Sequence, residues 1–288
     1  MKLHLGTTLI LMALSTSPLA ADGVRTGTIR VNDTALYYEV RGSGPVLLMI
    51  PGATGDAGHF ARVAPLLAET YTVVTYDRRG NSRSPATEPT SLEQQADDAA
   101  ELLRALRLSP ATVFGTSAGA IIALKLALRR PEVCRAVIVH EPPFMAVLPN
   151  AAEAGKAFQL TVESALKERG PRGAMEMFIR MNAGDAAFDG LEPALRARML
   201  DNGERFFAFE LPMFMSWIPS EAELGAARVP IRVLTGADNR GTDYYATSEW
   251  LAQRLGTELG KLPGRHVPYF TDPAAMTIAL KALIESPE

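Results

Sequence analysis

Two rhythms of apolar and polar positions run along this chain, and the switch between them marks out its architecture. Over about residues 27–40, two short runs flank Asn32-Asp33, a turn-prone pair that predicts an antiparallel hairpin. Beyond it, residues 46–50, 71–76, 111–114, 135–139 and 231–235 are short, mostly apolar and rich in β-branched side chains, without alternation. A strand that is apolar on both faces must be covered on both, so these runs predict a parallel sheet between helices. Helical spacing fills the intervals. It is clearest after Ser91, where Leu92, Ala96, Ala99, Leu103 and Leu106 share a stripe, and Ser91 with Gln94 makes a capping-box start. Strand alternating with helix predicts an α/β fold, a doubly wound and mostly parallel sheet whose ligand crevice lies at the carboxyl ends of the strands. Functional residues are therefore expected just after strands.

The interval from about residue 142 to 228 breaks this rhythm with helical stretches carrying Met175, Met177, Phe178, Met181, Phe206, Phe207, Met213, Phe214, Met215 and Trp217. A helical cap inserted into the sheet domain of residues 22–288 is expected there. Singly these side chains read as cap core, and as a group they suggest an apolar pocket able to take acyl or ring-containing substrates. Residues 1–21 combine Lys2, an apolar stretch over about residues 9–14 and a small-residue exit at Ala20 and Ala21. That is the pattern of a signal peptide, too short to span a bilayer, and it implies a secreted or periplasmic protein. Cys134 is the single cysteine, so no internal disulfide can form, and its apolar run suggests a buried thiol.

Composition narrows the class of partner. With 47% apolar and 21% charged residues the chain is that of a folded globular protein, and a net charge of -3 without long basic runs offers no footprint for nucleic acid or anionic lipid. A small-molecule substrate is the expected partner.

The sharpest chemical signal is Gly115-Thr116-Ser117-Ala118-Gly119, between the run ATVF and the helix-like AIIALKLALRR. A chain turning from strand to helix in so few residues holds its serine in a strained conformation, with glycines relieving the crowding on each side. Ser117 then sits at a helix N-terminus, whose free N–H groups favour developing negative charge, and Ala118 N–H is one expected oxyanion donor. A serine needs a base to take its proton. Of the four histidines, His4 lies in the expected leader, His59 follows the first buried run and His140 ends another; His266, in LPGRHVP, is placed to loop back over Ser117. Asp238, in LTGADN, follows a strand and precedes His266, so the chain order Ser, Asp, His makes it the expected acid. Glu141, in VHEPP, is the competing acid and is assigned a pocket-wall or hydrogen-bonding role. Asp77, followed by Arg78 and Arg79, reads as a structural ion pair. The second oxyanion donor is expected from PGATG, at Ala53 N–H.

Taken in order, PGATG, YDRRGNSRS, GTSAG, GADN and GRHVP resemble the α/β-hydrolase superfamily over nearly everything after the leader. The resemblance implies Ser117, Asp238 and His266 as a catalytic triad and Ala53 with Ala118 as the oxyanion hole. It implies no metal or organic cofactor. Two positions depart from the pattern: family members commonly carry histidine at Pro51, where it braces the oxyanion loop, and glycine at Ser82. The implied activity is hydrolysis of a small carboxylic ester or lactone through an acyl-serine intermediate. Carbon-carbon bond hydrolysis, amide hydrolysis and cofactor-free perhydrolysis are alternatives on the same fold, and a non-enzymatic receptor is the alternative from another class.

Overall fold

In the computed structural model the described residues are 23–86 and 88–286; the expected leader lies outside them. Strands β1 (Val24–Val31) and β2 (Thr34–Arg41) form the hairpin, turning at Asn32 with φ 48°, a conformation asparagine tolerates better than most residues. The remaining strands are β3 (Val46–Ile50), β4 (Thr72–Tyr76), β5 (Ala111–Thr116), β6 (Cys134–His140), β7 (Ile231–Gly236) and β8 (Leu259–Leu262). They make one sheet in the order β1-β2-β4-β3-β5-β6-β7-β8. β2 is antiparallel to β1 and β4, and every pairing from β4 to β8 is parallel.

The continuous apolar runs are explained by two cores, one on each face. Leu48, Ile50, Val113 and Val137 enter the core that includes Ala96 and Leu103 of α2 (Leu92–Ala105) and Ile121 and Leu124 of α3 (Ala118–Arg129). Their neighbours Leu47, Met49, Phe114 and Ile138 enter the opposite core, with Leu67 of the short helix α1 (Ala64–Leu67) and Met276 and Leu280 of the C-terminal helix Pro273–Glu285. Ser91 caps α2 through the reciprocal pair with Gln94 that the sequence predicts. Cys134 is buried at the start of β6, and burial pushes its thiol up to about 12, which keeps it unreactive.

Between β6 and β7 the chain leaves the sheet for a helical region that covers its carboxyl edge. Its longest element, α4 (Ala151–Ala183), is two helical arms meeting at Gly170, where φ is 65° ahead of Pro171. Helices Pro193–Asp201 and Gly203–Arg205 follow, then a π-helical turn over Phe206–Glu210 and the helix Leu211–Met215. Among the described residues, no helix is long and apolar enough to cross a membrane.

Candidate active site

Ser117 lies between the last residue of β5 and the first of α3, at φ 54° and ψ −126°. Such a conformation costs a non-glycine residue about 1–3 kcal/mol and persists only where its surroundings enforce it. Here the Ser117 N–H donates to His140 O at 2.8 Å, continuing the β5–β6 ladder one residue beyond the Thr116–His140 pair. Ala118 is the first residue of α3, a position whose N–H has no acceptor within the helix. The loop after β3 runs alongside: a Cβ built on Gly52 would stand 3.2 Å from Ser117 Cβ. Ala53 and Ala118 both line the cavity that Ser117 faces. With proline at position 51, the loop after β3 is tied by other groups. Thr54 Oγ1 is 2.9 Å from His59 Nδ1, and Asn202 Nδ2, from the cap, donates to Thr54 O at 2.6 Å. The same Asn202 accepts from Ser82 N–H at 2.8 Å, holding Ser82 at φ 50° where the family's glycine would need no such support.

His266 is brought to this edge by the loop after β8, and it shares a small side cavity with Ser117, Gly52, Ala53 and His59. Its partner is not Asp238. The imidazole Nδ1 lies 2.5 Å from Glu141 Oε2, and Nδ1–H donated to that carboxylate leaves the lone pair on Nε2. Asp238 sits two residues past the end of β7 with an exposed side chain, and it holds the histidine loop through its backbone, donating N–H to Gly264 O at 2.9 Å. The expectation that Asp238 orients the imidazole is therefore corrected to Glu141. Glu141 follows β6, the strand beside β5, and its longer side chain reaches across the end of β7 to the ring. There its other oxygen, Oε1, accepts from Thr235 Oγ1 at 2.7 Å, Gly236 N–H at 2.7 Å and Asn239 Nδ2 at 2.6 Å.

Burial alone would raise the Glu141 carboxyl. The hydrogen bond from His266, the favourable electrostatics of the neighbouring His140 and His266 rings and the Gly236 N–H outweigh it and hold the group well below the usual carboxylate range. Glu141 is also one of the few non-glycine residues at positive φ, 50°, so both Ser117 and Glu141 follow their strands through a strained bend. Tyr244 lies flat on the other face of the site, its ring 3.8 Å from that of His266 at 15°, while its hydroxyl donates to Asn182 Oδ1 of α4 at 2.6 Å. The sequence offers no sign of that stack, because Tyr244, in the first turn of the helix Asp243–Leu255, lies far along the chain from His266. Asp77 is structural as expected, although its carboxylate pairs with Arg83 at 2.6 Å rather than with its immediate neighbours.

The two other described histidines are neutral scaffolding at neutral pH. Burial pushes His59 down to about 3 and His140 down to about 4. An unfolded chain protonates both near pH 6.5, so the stability they carry as neutral rings is complete above that value and is lost as pH falls toward the folded values. The slope is up to roughly 1.4 kcal/mol per pH unit for each ring. In denaturant melts between about pH 6.5 and about pH 4.5, His140→Gln should flatten the loss of stability by roughly 1 kcal/mol per pH unit. An unchanged slope would show that His140 does not enter the fold uncharged.

The main cavity measures about 370 Å³ and is bounded on the sheet side by Ser117 and Ala118 and on the cap side by Phe158, Phe178, Met181, Phe206, Phe214 and Met215. The methionine- and aromatic-rich interval thus divides its labour. Met175 is buried cap core, and Phe178, Met181 and Met215 face the cavity.

A mostly parallel, doubly wound sheet with a serine at a strand-to-helix bend and a helical cover over its carboxyl edge defines the alpha/beta hydrolase fold, and the chain belongs to that family. The family model for the alpha/beta hydrolase fold matches residues 45–172. The uncharacterized hydrolase YraK of Bacillus subtilis is 34% identical over 253 residues, 85% of this chain and 91% of the relative. A zearalenone hydrolase of Cladophialophora bantiana is 27% identical over 263 residues, 89% of this chain and 95% of that protein. Among solved structures, the enol-lactonase from Burkholderia xenovorans superposes with a TM-score of 0.73 at 19% identity, over 90% of this chain and all of that one. The protein is a hydrolase acting on a small molecule.

Proposed function

We propose that the chain hydrolyses a carboxylic ester or lactone through an acyl-serine intermediate, with Ser117 as nucleophile, His266 as base, Glu141 as the acid that orients the base, and the N–H groups of Ala53 and Ala118 as oxyanion donors. The observation that carries this reading is the 2.5 Å contact of His266 Nδ1 with Glu141, on a ring that borders the same small cavity as Ser117; Nδ1–H donated to the carboxylate is the tautomer that frees Nε2 to take a proton. In this reading His266 takes the Ser117 proton as Oγ adds to the carbonyl carbon. The oxyanion is held by the two N–H groups, and the leaving oxygen recovers the proton from His266 as the bond to it breaks. Water then attacks the acyl-enzyme under the same base. Glu141 stabilises the transient imidazolium, and its three donors on Oε1 keep it ionised and fixed.

The apolar cavity supports a substrate with an acyl chain or ring in place of a charged one, and the relative named for zearalenone hydrolysis supports the same chemistry. Export from the cytoplasm is proposed on residues 1–21 alone and is tested by fractionation with N-terminal sequencing of the mature chain.

The decisive experiment is a panel of acyl-graded esters and of lactones of increasing ring size, run beside an amide, with fluorophosphonate labelling mapped by mass spectrometry. Turnover of esters or lactones and a single label on Ser117 are expected. A folded protein that neither labels nor turns over any of them would indicate a receptor, and preference for the amide would move the activity to another bond.

A further inference from the structure

Arg78 is buried with no exposed side-chain surface, on the loop that follows β4, and its guanidinium joins three parts of the molecule. Its Nη2 donates to Gly52 O at 3.2 Å and to Ala53 O at 3.3 Å. The same fork pairs bidentately with Glu210, Nη1 to Oε1 at 2.9 Å and Nη2 to Oε2 at 2.8 Å, and Glu210 is likewise wholly buried, at the end of the π-helical turn of the cap. Asn81 Nδ2 adds a third donor to that carboxylate at 2.8 Å. The guanidinium carbon also stands 5.3 Å above the ring of Phe214, a wall of the main cavity.

The direction of these bonds matters more than their number. The peptide joining Gly52 to Ala53 is trans, so its carbonyl and its N–H point opposite ways. Arg78, with Gly55 N–H at 3.0 Å, captures the Gly52 carbonyl on one side of the loop and thereby turns the Ala53 N–H to the other. Were this peptide to flip, the carbonyl oxygen would face the position where negative charge develops. A guanidinium is suited to the task because its planar fork serves a carboxylate and two carbonyls at once, which a lysine ammonium on a flexible stem does not. Its counter-charge comes from the cap, so the carboxylate that fixes Arg78 arrives only with the cap in place. Asn202, bonded to Thr54 O, docks the same cap segment on the same loop.

We propose that Arg78 is a positioning residue that sets the oxyanion loop, and that Glu210 makes this setting depend on the seated cap; the proposal rests on the hydrolytic reading of Ser117 and Ala53. It supplies the bracing that the family draws from a histidine where this chain has Pro51.

The test compares Arg78→Lys, Glu210→Gln and the paired change Arg78→Met with Glu210→Met, which removes both buried charges together and so avoids leaving one unpaired. Rates are taken per active site titrated with fluorophosphonate in the wild-type and variant proteins. Arg78→Lys should lower kcat about 10- to 100-fold with KM changed less than about threefold, and weaken a boronic acid that forms a tetrahedral adduct by the same factor as kcat, because loss of an oxyanion donor acts on the transition state. Glu210→Gln, which keeps one acceptor for Arg78, should lose much less kcat than Arg78→Lys, and the paired methionines should lose at least as much as Arg78→Lys. Wild-type kcat in any folded variant lacking the Arg78 bonds, or a change confined to KM, overturns the proposal. Wild-type protein that neither labels nor turns over an ester or lactone would instead overturn the reading beneath it.

Discussion

Glu141→Gln is expected to lower kcat by roughly 10⁴-fold, the scale seen when the acid of a serine triad loses its charge while keeping its shape. Asp238→Asn should stay within about threefold of the wild type, because an exposed carboxylate that does not touch the ring contributes little. Ser117→Ala sets the floor for the comparison. The reason lies in proton placement. The carboxylate accepts Nδ1–H and so keeps Nε2 free to accept a proton, whereas a glutamine at 141 can present its NH₂ to Nδ1 and invert the tautomer. The glutamine also meets the three donors now aimed at Oε1, Thr235, Gly236 and Asn239, which favour an oxygen on that side and so drive the amide nitrogen toward the histidine. Steady-state kinetics on one ester, with circular dichroism to establish folding, decides the matter. Near-normal kcat in Glu141→Gln, or a loss of about 10³-fold or more in Asp238→Asn, would return the acid to the loop after β7.

The fold was legible because its signals are local and repeated. Apolar runs without alternation can be satisfied only by a sheet covered on both faces, and Leu47 and Leu48 do enter opposite cores. β8 escaped that pattern because it is an edge strand of four residues in which only Leu262 is fully buried. Ser117 was readable from five residues because the demand for a tight strand-to-helix bend is itself local.

The carboxylate partner of His266 was not readable in this way. Chain order favours Asp238, and nothing in LTGADN reveals that its side chain turns to solvent while its backbone binds Gly264. What selects Glu141 is lateral: β6 lies between β5 and β7, so a residue just past its end can reach both the nucleophile's neighbourhood and the donors at the end of β7. A carboxylate directly after a mostly apolar strand, and ahead of two prolines, was the available hint. Arg78 was hidden for a similar reason. Its partners, Gly52, Ala53 and Glu210, come from distant parts of the chain, and adjacency to Asp77 suggested a pairing that the fold gives to Arg83.

Gly119→Val should prevent folded protein from accumulating, and Gly119→Ala should destabilise it by several kcal/mol, equivalent to a fall of about 10 °C or more in Tm for a chain of this size. A Cβ at position 119 would stand 2.3 Å from Ile50 O and 2.7 Å from Pro51 O, and both are backbone atoms that cannot rotate away. The glycine is what lets the first turn of α3 press against the end of β3. Gly155→Ala provides the control: it lies within α4 with nothing near the added methyl, so it should be neutral or stabilise by up to about 1 kcal/mol. Thermal melts of the two alanine variants separate a helix-propensity effect from a steric one, and equal Tm values would show that the contact between α3 and β3 yields without cost. Any Gly119→Ala protein that does fold should also be slow, because the methyl can be housed only by moving the carbonyls of Ile50 and Pro51 away from α3. The loop proposed to hold the oxyanion continues directly from those two residues, so the Ala53 N–H, proposed as one donor, would be displaced relative to Ser117 and Ala118.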